Sequence, residues 1–191
     1  MGWQSEEFGS SHEGRVGVLL DDGSEPGPVY VDVGSGAGGR RITDWWVYDG
    51  QRGTQRAAFL RGACSCDWRG RGRYPVDWAE VTDWPNGIDT SGPEADWSEH
   101  IKEVQARSIP LPAGLDDLLE RLDSQLIALA DDAPLAALRA VTAIERTAER
   151  VGRAAAENVY ADDMPWDAVG RALGLTEKDA RSRLIHYRVR R

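Results

Sequence analysis

The sequence predicts an α+β chain: a small antiparallel β-meander with one helix, followed by an all-α C-terminal region. Three observations lead there. Short apolar runs in the first half are separated by connections dense in Gly, Asp, Ser and Pro, which is turn chemistry. Beyond residue 114, leucine and alanine recur at helical spacing for more than 40 residues. Between them, residues 108–114 contain two prolines and a glycine and read as a boundary. The predicted domains are therefore 1–107 and 108–191. A chain of 191 residues has room for two small domains, and its 41% apolar content supports a core in each.

In chain order, residues 1–14 are polar and Gly/Ser-rich and read as a loose lead. Strands are expected over 15–20, 28–33, 44–48 and 55–64. In the second of these, Val29, Val31 and Val33 alternate with Tyr30 and Asp32, as a half-buried strand requires. The connections 21–27 and 34–40 are loops. Residues 69–92 are irregular, marked by Trp and Pro. Thr90 or Ser91, followed by Pro93 and Glu94, opens a helix whose apolar face is Trp97, Ile101 and Val104.

After the boundary, Leu115, Leu118, Leu119, Leu122, Leu126 and Leu129 form an amphipathic helix, with Asp116 and Asp117 suited to its N-terminus. Residues 131–134 break it. Leu135, Leu138, Val141, Ile144, Ala148, Val151 and Ala155 build a longer one. Both expose more leucine and alanine than a small terminal motif can cover, so pairing within or between chains is expected.

Residues 164–187 are the most informative stretch. Pro165 suits a first helical turn, and Val169, Ala172 and Leu173 form an apolar stripe. Gly174 permits the positive φ that ends a helix. Thr176 and Asp179 make a variant of the capping box, and Ala180, Leu184 and Tyr187 continue the buried face. Through Trp166, Val169, Gly170, Leu173, Gly174, Leu175, Thr176, Ala180 and Leu184, the segment resembles the helix-turn-helix of actinobacterial DNA-binding proteins. The resemblance covers about the last 30 residues and implies a second helix that enters the DNA major groove. Lys178, Arg181, Ser182 and Arg183 would then face the groove, with Thr176 at its start. Arg171, Arg188, Arg190 and Arg191 would neutralise phosphates. The same pattern also fits a helical hairpin that packs on a protein partner.

Charge localises this expectation. The net charge is −9, yet residues 1–130 hold 12 Lys/Arg against 22 Asp/Glu, while residues 166–191 hold seven against three. The basic footprint of a phosphate-binding surface is thus terminal. No run of 18 apolar residues is present, which argues against a membrane span. The acidic beginning has no signal-peptide core. Two cysteines one residue apart make no disulfide framework and suit a reducing cytoplasm. Heavy use of Ala, Arg, Gly, Asp and Trp resembles high-GC actinobacterial proteins.

A metal site is expected in the first domain. Cys64 and Cys66 close the last predicted strand, Trp68 follows, and His100 lies on the next helix beside Trp97 and Ile101. The arrangement resembles small strand–helix zinc modules, because thiolates need a cation and an imidazole on an adjacent helix can share it. His12, Asp49, Asp67 or Asp96 can supply a fourth ligand. The plainer account is two half-buried thiols and a histidine packed beside Trp97. Seven of the eight tryptophans (Trp3, Trp45, Trp46, Trp68, Trp78, Trp84 and Trp97) precede residue 100. Core packing accounts for them, and a stacking platform is the alternative. On a strand, adjacent Trp45 and Trp46 would face opposite sides.

The paired carboxylates fall at turns and helix starts, where capping explains them, and residues 34–39 lack the Lys and Ser/Thr of a phosphate loop. No enzyme is expected. The expected function is DNA binding, as a transcriptional regulator or DNA-associated factor on the nucleoid, acting as a homodimer. The rivals are an adaptor that binds protein through the leucine-rich helices, and a reader of modified or distorted DNA that uses the tryptophans.

Overall fold

Period-two burial begins earlier in the chain than the apolar residues do. In the computed structural model, which describes residues 2–31, 40–51, 53–81 and 87–189, the second strand runs through Gly9–Leu19, with His12, Gly14, Val16 and Val18 all turned inward. Within the polar lead expected over 1–14, residues 2–5 and 9–14 are therefore strand. β1 (Gly2–Ser5) pairs antiparallel with β2 (Gly9–Leu19) through Gly2–Arg15 and Trp3–Gly14. The alternation is present at 9–15, but His and Gly occupy the inward positions where Val or Ile would have announced a strand.

β3 (Val29–Val31) and β4 (Arg40–Ile42) form a separate antiparallel hairpin. The expected loop at 34–39 and the end of the 28–33 strand lie outside the described residues, as does Trp84. Residues 44–48 are not a strand: Trp45–Val47 make one 3-10 turn, closed by bonds from the Val47 and Tyr48 N–H groups to the Asp44 and Trp45 carbonyls. Trp45 and Trp46 are consequently not cross-facing strand neighbours. Trp45 is buried and 6.1 Å from Trp78. The strand expected over 55–64 shortens to β5 (Phe59–Cys64), because Ala57 and Ala58 instead donate to the Tyr48 and Leu19 carbonyls.

β5 pairs with β2 from Gly14–Cys64 to Leu19–Phe59, and β6 (Tyr74–Pro75) adds the fourth strand to its other edge. The main sheet runs β1-β2-β5-β6, antiparallel throughout, with the β3–β4 hairpin inserted between β2 and β5. Val16, Val18 and Leu60 pack against Trp45, Val47, Tyr48 and Ala57 to form its core. α1 (Ser91–Arg107) covers the other end of the inward face. Gly14 and Gly62 let it approach: a Cβ at Gly14 would lie 2.6 Å from the Trp97 ring, and one at Gly62 2.6 Å from the Pro93 carbonyl.

The chain divides into two compact units, Met1–Ala106 and Arg107–Arg191. In the second, α2 (Ala113–Asp132) breaks at Ala133 before α3 (Pro134–Ala161). α2 buries no residue, and α3 buries only Ala137 and Ala156. α4 (Trp166–Ala172) and α5 (Glu177–Val189) follow. Ala156, Val169, Ala180 and Leu184 form the core that joins α3, α4 and α5, flanked by Val159, Tyr160, Trp166, Leu175 and Tyr187. Leu173 departs from the expected apolar stripe. It caps the short α4 and is 40% exposed, because seven residues make only two turns and the stripe ends with them. Among the described residues, no helix is long and apolar enough to cross a membrane.

Candidate metal centre and candidate nucleic-acid interface

The end of β5 turns into a tight knuckle. Asp67 adopts a left-handed φ of 67° and its N–H donates to the Cys64 carbonyl at 3.1 Å, while the Cys64 N–H donates to the Trp68 carbonyl at 3.0 Å. Ser65 ties the knuckle to β2: its N–H donates to the Glu13 carbonyl, its hydroxyl accepts from the Glu13 N–H, and that hydroxyl donates to the Ser10 carbonyl. Both thiols are thereby set beside the inward face of β2, where His12 lies two residues before Gly14. Trp97, seated on Gly14, brings its α1 neighbour one turn on, His100, to the same point.

Four ligand atoms result, one from each of His12, Cys64, Cys66 and His100, all within 4.8 Å of one another. Cys64 Sγ lies 3.6 Å from His12 Nδ1, and Cys66 Sγ lies 3.3 Å from His100 Nε2. A tetrahedral zinc with bonds of about 2.0–2.3 Å has ligand–ligand edges of about 3.3–3.8 Å, so both contacts match. His12, Cys64 and His100 are buried, and Cys66 is half-buried. Trp68 stacks on the His100 ring at 4.4 Å and 10°, and Phe8 meets His12 edge-on at 5.4 Å. These contacts orient both imidazoles.

The hydrogen bond from Cys66 pulls Cys64 well below the usual thiol range, aided by the two histidines, and the same bond holds the remaining proton on Cys66. One thiolate is thus ready-made for a cation. Of the four fourth-ligand candidates, the fold selects His12. Asp49 instead accepts from the Gln51 N–H and the Thr54 hydroxyl, Asp96 accepts from the Tyr74 hydroxyl, and Asp67 is exposed. Sequence spacing gave His12 no preference, since it is 52 residues from Cys64 in a stretch read as loose. The alternation His12, Gly14, Val16, Val18 was the available signal.

In the C-terminal unit, the capping box reads as expected. The Thr176 hydroxyl accepts from the Asp179 N–H at 3.1 Å and donates to the Asp179 carboxylate at 2.7 Å, so its polar atom serves the cap. Gly174 turns at φ 63°, and the Leu175 N–H returns to the Gly170 carbonyl at 2.8 Å. Opposite the buried Ala180 and Leu184, one shallow surface of α5 is lined by Glu177, Lys178, Arg181, Ser182 and Ile185. Arg183 is exposed beside it.

Three of the expected DNA-contacting arginines are engaged within the unit. Arg181 pairs with Glu177 at 3.0 Å while lying over the Trp166 ring, and Arg171 pairs with Asp167 at 2.8 Å. That second pair holds the Asp167 carboxyl below its usual range. Arg188 lies 4.3 Å over Tyr160, and Arg190 is outside the described residues. Comparison with family models, with characterised proteins and with solved structures finds no match for this chain.

Proposed function

We propose that this protein binds duplex DNA through α4, the Gly174 turn and α5, with a structural zinc ion held by His12, Cys64, Cys66 and His100 in the front unit. The observation that carries the DNA reading is the two-sidedness of α5. Ala180 and Leu184 are buried against α3 and α4, while Lys178, Arg181 and Ser182 share the opposite, open surface. A helix presented this way, with basic and hydroxyl side chains outward, suits base edges and phosphates. The likeness of residues 164–187 to actinobacterial helix-turn-helix segments supports it.

Two thiols and two imidazoles suit zinc. Bound together to one ion, they would supply the four protein ligands of a structural centre. The metal would clamp α1 to the β2–β5 sheet end.

Binding is tested by mobility shift on genomic fragments across a salt series, with Arg181→Ala/Arg183→Ala as the probe. Each lost base or phosphate contact removes about 1–3 kcal/mol, so the double variant should bind at least tenfold more weakly with its fold intact. Unchanged affinity and salt slope would transfer the function to protein binding. The exposed leucines of α2 and α3 favour that second reading.

A further inference from the structure

The front unit contains an arginine cluster that the metal centre does not use. Residues 61–73 include Arg61, Arg69, Arg71 and Arg73 against a single acidic residue, Asp67, inside an otherwise acidic first half. Arg61, Arg69 and Arg73 converge on the loop after β2. That loop is built tightly: the Leu20 N–H donates to the Ser24 carbonyl, the Gly23 N–H donates to the Leu20 carbonyl at φ 81°, and the Asp22 carboxylate accepts from both the Ser24 N–H and hydroxyl. Arg73 lies against Gly23, its Nη2 3.1 Å from where a Cβ would sit.

Glu25 follows and places one oxygen, Oε1, against both Arg61 Nη2 and Arg69 Nε. Arg69 is further fixed by Nη1, which donates to the Trp68 carbonyl at 3.0 Å and the Cys64 carbonyl at 3.4 Å. Arg61 stands across from Gly17 in the β2–β5 register, and among the described residues its buried Nε has no hydrogen-bond partner. Among the described residues, Arg73 pairs with no carboxylate. Two guanidinium groups thus share one oxygen of Glu25, and a third, that of Arg73, lies against the same loop at Gly23. A phosphate group presents separate oxygens to separate guanidiniums, which is the better match for such forks.

We propose that Arg61, Arg69 and Arg73 form a phosphate-binding site for the DNA backbone, which Glu25 occupies as an internal stand-in. The site rests on the DNA-binding reading and gives the front unit its own contact. Because Arg69 belongs to the knuckle of the candidate metal centre, the same turn positions a cysteine thiol and a guanidinium that can bind phosphate.

The experiment is fluorescence anisotropy of the full zinc-loaded chain with a labelled duplex, across a salt series. Arg61→Ala/Arg69→Ala should lower affinity at least tenfold and reduce the slope of log K against log salt by about 2, since each neutralised phosphate contributes about 0.9. Glu25→Gln, which keeps every arginine, should tighten binding several-fold. Inorganic phosphate at constant ionic strength should compete in the wild type and lose that effect in the arginine variant.

If Arg181→Ala/Arg183→Ala abolishes binding while the arginine-cluster variant retains wild-type affinity and slope, the site falls and the DNA reading stands. Loss of zinc or of melting stability in the arginine variant would pass the decision to Glu25→Gln, and no gain in affinity there overturns the site. Phosphate that saturates the cluster without touching duplex affinity would identify free phosphate as the occupant and overturn the DNA contact. A wild-type chain that binds no duplex at low salt overturns both.

Discussion

Gly14 lies where β2 passes beneath the Trp97 indole, and its missing Cβ is what permits α1 to reach the sheet. Gly14→Ala would put a methyl 2.6 Å from that ring and 2.8 Å from Trp3. Overpacking of this kind costs about 1–3 kcal/mol, and denaturant unfolding followed by tryptophan fluorescence should show it. Metal affinity should fall in the same variant, because His100 moves with Trp97. At the other end of the chain, Thr176→Ala removes the hydroxyl that caps α5, at a cost of about 1 kcal/mol. Glu177→Gln instead frees Arg181 from its ion pair and should tighten duplex binding. Weaker binding in that variant would mean the pair orients Arg181 rather than restrains it.

At the scale of elements, the four candidate ligands and the rings stacked on them join the knuckle after β5, β2 and the middle of α1. Zinc should co-purify near one equivalent by elemental analysis. At free metal about 100 times Kd, binding stabilises the folded unit by about 2.7 kcal/mol. For a unit of this size that corresponds to roughly 10–20 °C in melting temperature. Chelation should lower the front-unit transition by that much, and Cys64→Ser/Cys66→Ser should lose both metal and the shift. The α3–α5 core has its own apolar residues and should melt unchanged. Absence of stoichiometric metal in protein purified without chelator would return His12 and His100 to ordinary packed histidines.

At the scale of the whole molecule, α2 and α3 leave a large apolar face uncovered. Leu118, Ile127, Leu135 and Leu138 are 56, 60, 81 and 65% exposed, more than isolated surface leucines account for. The helices differ in charge: α2 carries six acidic residues against Arg121, while α3 balances Arg139, Arg146, Arg150 and Arg153 against Glu145, Glu149 and Glu157. A second copy that sets α2 against its α3 would cover the leucines and pair the flanks, as four-helix bundles do. Light scattering should therefore report a dimer, and Leu118→Glu/Leu138→Glu should yield a monomer with weaker duplex binding. If DNA binding holds, two reading heads would address successive major grooves about 34 Å apart. A monomer at micromolar concentration, with and without DNA, would end this expectation.

Read by itself, the sequence determined the features that depend on neighbours in the chain. The α+β division, the helix from Ser91, the break before Pro134, the Gly174 turn and the Thr176–Asp179 cap all follow from spacing or backbone preference within a few residues. Cys64, Cys66 and His100 were legible because their residue types and order carry chemistry. What needed the tertiary structure was everything set by partners far away in sequence. His12 joined the candidate ligand group only when β2 extended back to Gly9 and paired with β5 across 50 residues. Trp45 and Trp46 left the strand period because burial against Trp78 and the Leu60 core favoured a 3-10 turn over pairing. Glu25 met Arg61 and Arg69 by a loop closure that no local pattern encodes. Short-range geometry is written in residue preferences, whereas long-range pairing is decided by which faces bury together.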